Sequence, residues 1–140
     1  MSDSAEKCVM VIDHSLPLGL IANTAAILGC TLGKDKSEIV GRNVTDGGGF
    51  LHRGIVQLPI PILALSQDGL KMLHREIIDQ YKERITLISF NDIAQRSKNY
   101  DDYAEKLATI PRDDLNYLGL CLYGEKKAIN HLTGSLPTLK

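Results

Sequence analysis

The chain has 140 residues, 44% of them hydrophobic and 24% charged, which suits one folded domain over residues 1–140 and excludes an intrinsically disordered chain. Its formal net charge of -1 gives no general attraction to nucleic acid or to an anionic membrane. No stretch approaches the roughly 20 apolar residues of a membrane span, and the polar residues 1–7 do not read as a signal peptide, so we expect a cytoplasmic protein without a membrane partner.

Apolar runs, helical periodicity and turn residues alternate along the chain. A continuous apolar run is typical of a strand covered on both faces, and consecutive glycines indicate a turn. The first part of the sequence predicts a strand over residues 8–12, a helix from residue 17 to about 32 capped by Gly33, a short strand over 37–41, a turn over 45–49 and a segment over 50–58 that pairs back across that turn. The middle part predicts a strand over 60–65, a helix from 67, a strand over 84–90 and a helical turn over 91–95. The last part predicts a helix over 100–110, a strand over 117–123, a turn at Gly124 and a helix over 125–132.

This alternation of strands and helices predicts an α/β fold. The expected architecture is a three-layer α/β/α sandwich around a mostly parallel or mixed sheet of about four strands. Ligands of such folds bind at the carboxyl ends of the strands.

Motifs for metals and nucleotide cofactors are missing from the sequence. The three cysteines, Cys8, Cys30 and Cys121, are far apart and odd in number, which indicates free thiols. The four histidines show no metal-ligand spacing. There is no Walker A loop and no Rossmann glycine pattern. We therefore predict neither a metal nor a cofactor.

The two ends of the chain resemble the class II peptidyl-tRNA hydrolases. Residues 7–11 lead through Leu16-Pro17-Leu18-Gly19 into an alanine-rich helix, and residues 118–124 lead into Leu132-Thr133-Gly134-Ser135-Leu136. Those enzymes begin with a similar strand and helix and end with a similar strand, glycine turn and Thr-Gly close. The resemblance implies their fold.

A closer resemblance covers nearly the whole chain. It is to small bacterial proteins classed as a domain of unknown function, number two thousand in that series. They are similar in a Leu-Pro-x-Gly followed by a helical Asn (here Asn23), in an Asp-x-Gly turn followed by His (here Asp46 and His52), and in a Leu-Pro-x-Pro-Ile-Leu segment at residues 58–63. This resemblance implies a homodimer and supplies no reaction.

The chain departs from the hydrolases where their catalytic side chains lie. Those enzymes carry a Lys, a Gln and usually a His on the first helix. The matching positions here are Leu20 or Ala22, Thr24 or Ala26, and Ile27 or Gly29. Ester hydrolysis needs a positioned base and a group that holds the oxyanion. Apolar side chains supply neither, so peptidyl-tRNA hydrolysis is not expected.

Candidate ligand-binding residues follow the first strand and the last. Asp13 ends the first strand, where it either caps the helix or binds a ligand. Gly19 and Asn23 lie on one helical face of small residues, and the Asn23 amide either holds the structure or contacts a ligand. Gly124 and Lys126 open the last helix, where free N–H groups attract anions.

Asp46 and His52 flank the glycine turn and are the catalytic candidates. They either form an acid–base pair or lie on a solvated hairpin.

Three hypotheses for the function follow from these residues. The first is a non-catalytic or weakly catalytic homodimer that binds a small molecule or anion near Asn23. The second is a hydrolase that uses Asp46 and His52 near Asn23. The third is an RNA-binding relative of the hydrolases, which the near-neutral charge disfavours.

Overall fold

The computed structural model describes residues 6–140, so most of the predicted polar start of the chain lies outside the described residues. The chain forms mixed α/β structure. The strands are β1 (Glu6–Asp13), β2 (Val44–Thr45), β3 (Leu51–His52), β4 (Ile62–Leu65), β5 (Ile85–Asn91) and β6 (Tyr117–Glu125), and the helices are α1 (Leu18–Asp35), α2 (Gln67–Gln80), α3 (Asp92–Arg96), α4 (Tyr100–Leu107) and α5 (Lys126–Thr133). Short 3-10 turns lie at Ser37–Ile39 and Arg112–Asp114.

Four strands form one sheet in the order β4-β1-β6-β5. β1 pairs in parallel with β4 and antiparallel with β6. The run from Cys8 to Ile12 is buried along its whole length, as its continuous apolar pattern predicts for a strand covered on both faces. The prediction of a mixed sheet of about four strands is thus confirmed.

The direction of β6 differs from the parallel pairing that a strict alternation of strands and helices would give. β6 runs antiparallel to both of its neighbours, β1 and β5. α3 and α4 do not cross over the sheet, because the N–H of Asp92, directly after β5, donates to the carbonyl of Asn116 just before β6. The chain returns to the sheet at the end where it left, so β6 must run in the opposite direction.

Helices cover both faces of the sheet. On one face, α1 buries Thr24, Leu28 and Leu32 against the strands. On the other face, α2 and α5 pack against β1 and β6 and bury side chains such as Leu70 and Ile129. The predicted three-layer arrangement is therefore present.

Three local predictions are wrong. Gly33 does not cap α1, because the helix continues to Asp35 and ends at Lys36. The predicted strand over residues 37–41 is absent: Ser37–Ile39 form a 3-10 turn, and Val40 beyond it makes a single β-bridge, to Val56. Gly124 is not a turn residue. It lies inside β6 with a φ of 156°, where a Cβ would collide with the carbonyl oxygen of Arg84.

Residues 40–56 form a hairpin, here called the arm. The Val40–Val56 bridge lies at its base, and β2 and β3 pair beyond it. The predicted turn over residues 45–49 and the pairing back across it are confirmed. In the described part of the chain, β2 and β3 make a two-stranded sheet of their own, separate from the central sheet.

The outer edge of β4 is covered by the end of the chain. The N–H of Ala64 donates to the carbonyl of Pro137, and the N–H of Leu139 donates to the carbonyl of Ile62. The opposite edge strand, β5, has no strand beyond it within residues 6–140. The sheet thus has one covered and one open edge.

Candidate functional site

The predicted ligand-binding residues fall at opposite ends of the sheet. Gly124 is the partner of Lys7 near the start of β1, whereas Asp13 ends that strand. At about 3.3 Å per residue, roughly 20 Å of strand separates the two ends. Gly124 and Lys126 therefore do not share a site with Asp13, Gly19 and Asn23.

At the carboxyl end of β1, Asp13 is buried and its carboxylate binds within the chain. Its Oδ1 accepts hydrogen bonds from the backbone N–H of Ser15 at 2.9 Å and from the Ser15 hydroxyl at 2.7 Å. It therefore shapes the turn after β1. It is not the helix cap, because α1 has Pro17 at that position and no side-chain cap.

The small-residue face of α1 points away from the sheet. Thr24 and Leu28 face the strands, while Gly19 and Asn23 are exposed. A Cβ added to Gly19 would meet nothing within 4 Å. Within residues 6–140 the side-chain amide of Asn23 has no hydrogen-bond partner, so it is open to solvent.

Asp46 and His52 form a close pair at the outer end of the arm. Nε2 of His52 lies 2.8 Å from Oδ2 of Asp46. The other carboxylate oxygen accepts the backbone N–H groups of Gly48 and Phe50, at 2.9 and 3.1 Å. The hydrogen bond to His52, followed by those from Phe50 and Gly48, holds the pKa of Asp46 below its ordinary value.

This pair is oriented but open. About half of each side chain is exposed, and the Phe50 ring packs edge-on against the His52 ring at 4.9 Å. With Nε2 turned to the carboxylate, Nδ1 is the nitrogen that is left to accept a proton. Among the described residues, no hydrogen bond links Asn23 to either member of the pair. The sequence predicted the two partners, and the hairpin turn brings them together.

A polar cleft of about 410 Å³ lies where the sheet extends beyond the end of α1. Gly124 and Ile85 lie at its base, with Thr86 and Tyr123 as polar groups on neighbouring strands. The rim carries three basic and three acidic side chains: Lys36, Lys82, Arg84, Glu6, Glu83 and Glu125. Gly124 is the one predicted ligand-binding residue that lines this cleft.

The charges of the cleft are partly satisfied within the chain. The hydroxyl of Tyr123 donates to Oε1 of Glu6 at 2.9 Å, and Arg84 lies 3.4 Å from Glu125. Lys36 lies over the Tyr123 ring, with Nζ 5.4 Å from its centroid. Burial and the contact with Glu6 raise the pKa of Tyr123 to about 12, so its hydroxyl keeps the proton that it donates.

Two ammonium groups remain available in the cleft. Within the described residues, neither Lys36 nor Lys82 forms an ion pair, whereas Arg84 is paired with Glu125. Lys36 comes from the end of α1, and Lys82 comes from the loop before β5. An anion between them would neutralise charge from two separate elements. Sequence reasoning missed both residues, because only the fold brings residues 36 and 82 to one rim.

Lys126 lies in a separate, smaller cavity of about 330 Å³ beside the start of β1. Its other lining groups include Pro59, Pro61 and the side chain of Lys7. α5 has no side-chain cap. The structure thus places Gly124 and Lys126 beside two neighbouring cavities that share Glu6.

A second cavity of about 410 Å³ lies along the open edge of the sheet. α1 contributes Ile27 and Thr31, β5 contributes Ser89 and Phe90, and α4 contributes two tyrosines. Tyr100 and Tyr103 contact each other edge-on, with centroids 5.6 Å apart. We call this cavity the edge groove. None of the sequence-predicted site residues lines it.

Within residues 6–140, no three histidine, cysteine or carboxylate side chains cluster closely enough to hold a metal ion. No helix over the same range has the length and apolar character to cross a membrane.

These features define a mixed α/β protein with a four-stranded sheet, an isolated hairpin and a polar cleft. The chain belongs to the family described as "Protein of unknown function (DUF2000)", whose model matches residues 6–140. A solved structure of a protein of unknown function from Agrobacterium tumefaciens strain C58 is similar with a TM-score of 0.87 at 18% identity, covering 97% of this chain and 98% of that one. At that identity the likeness is one of fold. No curated protein matches the chain.

Proposed function

We propose that this chain is a non-catalytic binding protein for a small anion, that it works as a homodimer, and that the ligand lies in the polar cleft. The observation that carries the proposal is the pair Lys36 and Lys82, two ammonium groups without ion pairs on the rim of a cavity of about 410 Å³. That volume is within the usual range for small-molecule sites. A carboxylate or phosphate group matches two ammonium donors.

The base of the cleft supports the same proposal. The protonated Tyr123 hydroxyl and the Thr86 hydroxyl supply uncharged hydrogen-bonding groups beside the two lysines. Gly124 is required at the base, because a Cβ at this position would collide with the backbone carbonyl oxygen of Arg84. The cleft thus combines charge with directional hydrogen bonding, which a specific anion site needs.

Thermal shift measurements test the anion site. Inorganic phosphate and citrate are titrated against the wild type, Lys36→Gln, Lys82→Gln and the control Lys127→Gln, whose exposed lysine lies on α5 outside the cleft. We expect the melting temperature to rise with ligand concentration in the wild type and control, because binding to the folded state adds RT ln(1 + [L]/Kd). Each cleft variant should weaken the response. Equal responses in all four proteins would exclude the site.

A second candidate function is hydrolysis of an ester by Asp46 and His52, with Asn23 as a further polar group. The observation that favours it is the 2.8 Å contact between the two side chains. The carboxylate fixes the orientation of the imidazole, as a general base requires. p-Nitrophenyl acetate is a suitable probe. The proposal expects activity that falls together in Asp46→Asn and His52→Gln and persists in His14→Gln.

We also propose a relationship to the class II peptidyl-tRNA hydrolases. Its support is the sequence likeness of the two chain ends, which in this chain pair with each other as β1 and β6. The apolar residues at the matching catalytic positions, such as Leu20 and Ile27, argue that the hydrolase reaction is absent. A salt-sensitive gel shift with tRNA would favour the RNA-binding alternative over the small-anion proposal.

Three cysteines without a disulfide fit a reducing compartment such as the cytoplasm.

A further inference from the structure

The rim of the polar cleft carries as many acidic as basic side chains. Three lysine or arginine side chains and three glutamates line it, so the formal charge of the rim is zero. A purely anionic ligand gains nothing from the glutamates, because like charges in one cavity repel each other. Two available lysines therefore account for only half of the charge pattern of this cleft.

Three of the six rim side chains are held by contacts within the chain. The guanidinium group of Arg84 lies 3.4 Å from the carboxylate of Glu125, and its central carbon lies 4.6 Å from the centre of the Tyr81 ring. Oε1 of Glu6 accepts the hydrogen bond of the Tyr123 hydroxyl. Arg84, Glu125 and Glu6 are thus already engaged before a ligand binds.

The other three rim side chains form no ion pair among residues 6–140. They are Lys36, Lys82 and Glu83. Lys36 follows the last residue of α1, whereas Lys82 and Glu83 are consecutive residues of the turn that precedes β5. The charges that remain available to a ligand are therefore two positive and one negative, and they come from two separate elements.

Uncharged hydrogen-bonding groups at the base of the cleft can serve a cationic group as well as an anionic one. Thr86 and Tyr123 are paired directly across β5 and β6, and both line the cleft. The Tyr123 hydroxyl donates its proton to Glu6, so its oxygen is left to accept a hydrogen bond. The Thr86 hydroxyl has no partner within the described residues, and a hydroxyl can both donate and accept.

We propose that the ligand of the cleft is a zwitterion, namely a small carboxylate or phosphate that carries a primary ammonium group a few bonds away. This inference rests on the proposed function, because it names the chemical class of the ligand of the same cleft. The anionic group lies between Lys36 and Lys82, and the ammonium group pairs with Glu83 and donates to the oxygens at the base. Such a ligand converts the acidic part of the rim from a repulsive into an attractive contribution. Amino acids and aminoalkyl phosphates share this chemistry.

Amide NMR titrations of the full chain with matched ligands test the ammonium group. L-aspartate differs from succinate, and O-phosphoethanolamine from ethyl phosphate, by one ammonium group. At constant ionic strength, the amine-bearing member of at least one pair should bind with a dissociation constant about two- to fivefold lower, as one exposed ion pair contributes. A difference in only one pair identifies the anionic group as carboxylate or phosphate. The amide signals of Thr86 and Gly124 should shift, because both residues line the cleft.

Two glutamine variants separate the role of Glu83 from a general loss of negative charge. In Glu83→Gln, the advantage of the amine-bearing ligand should disappear, whereas its amine-free partner should bind at least as tightly as in the wild type because a repulsive charge is gone. Glu76→Gln removes an exposed glutamate on α2, outside the cleft, and should keep the wild-type preference. The same amide spectra establish that each variant is folded.

The remaining outcomes contradict the proposal in distinguishable ways. Binding of succinate or ethyl phosphate with no advantage from the amine overturns the zwitterion and leaves the anion site standing. An advantage that survives in Glu83→Gln overturns the pairing of the ammonium group with Glu83. No binding by any member of either pair overturns the inference, and the proposed anion site fails with it only if phosphate and citrate also give no thermal shift.

Discussion

At the scale of single residues, the three cysteines have sharply different environments. Cys8 and Cys121 are fully buried, with sulfur atoms 3.7 Å apart, whereas Cys30 is exposed on α1. Contact with Cys8, together with burial, raises the pKa of the Cys121 thiol, which disfavours its reactive thiolate. The two buried thiols occupy diagonal positions on β1 and β6, since Cys8 pairs with Tyr123 and Cys121 pairs with Met10.

We therefore expect one fast and two slow thiols. Titration of the native protein with a chromogenic disulfide reagent should label Cys30 quickly and leave Cys8 and Cys121 unlabelled until the chain is unfolded. Cys30→Ser is the matched control and should abolish the fast phase. Rapid labelling of more than one thiol in the native wild type would contradict this burial.

His74 provides a prediction for pH dependence. It is 8% exposed on α2, and its ring stacks on Tyr117 with centroids 4.3 Å apart. Burial, and next the charge of Arg112, lowers the pKa of His74 to about 4. In the unfolded chain its pKa is about 6.5. The unfolded state therefore takes up a proton first, and the stability present above pH 6.5 falls as the pH drops towards 4.

The variant His74→Phe keeps a ring for stacking and removes the titration. Between pH 7 and pH 4.5, urea unfolding should show a loss of stability that is smaller in His74→Phe than in the wild type by about 2 kcal/mol. His131→Gln, an exposed histidine on α5, should behave like the wild type. An unchanged pH dependence in His74→Phe would exclude His74 as the cause.

At the scale of elements, α1 packs directly on β6 at Gly119, where the helix side chains approach the strand backbone closely. A Cβ at this position would lie 2.7 Å from Cγ2 of Thr24 and 3.3 Å from Cδ1 of Leu28. Thr24 is held in place because its hydroxyl donates to the carbonyl of Leu20. The apolar run over residues 117–123 predicts β6, but it does not reveal that its glycine lies directly under a helix.

Two glycine variants separate packing from helix propensity. Gly119→Ala should destabilise the protein by roughly 1–3 kcal/mol, because the added methyl group overpacks the contact with α1. Gly33→Ala, inside α1 with nothing within 4 Å of the added Cβ, should stabilise it by about 0.5–1 kcal/mol. Chemical denaturation measures both. A neutral Gly119→Ala would mean that α1 shifts freely on the sheet.

At the scale of the whole molecule, the last residues close one edge of the sheet. The segment 137–139 hydrogen-bonds along β4, and Leu136 packs on the core formed with α2 and α5. An open strand edge is a template for pairing with other chains. Residues 137–139 thus close the β4 edge of the sheet, whereas the β5 edge, where the edge groove lies, stays open.

Removal of residues 136–140 should lower the melting temperature and promote aggregation, since it exposes β4 and deletes the packed Leu136 side chain. Removal of Lys140 alone, an exposed residue, is the control and should change neither property. Thermal denaturation combined with light scattering gives both readouts. A truncated protein that melts and scatters like the wild type would contradict a structural role for this segment.

The sequence by itself determined the class of fold and the positions of most elements, and it indicated Asp46 and His52 as a candidate pair. It did so because these features depend on local patterns: apolar runs, cap residues, and a glycine turn that brings neighbours six residues apart in the chain into contact. The tertiary structure alone decided the antiparallel direction of β6, the exposure of Asn23 and the separation of Gly124 from Asp13. It also formed the cleft of Lys36 and Lys82 and the open β5 edge. These properties depend on which distant segments lie side by side, and chain periodicity does not encode that pairing.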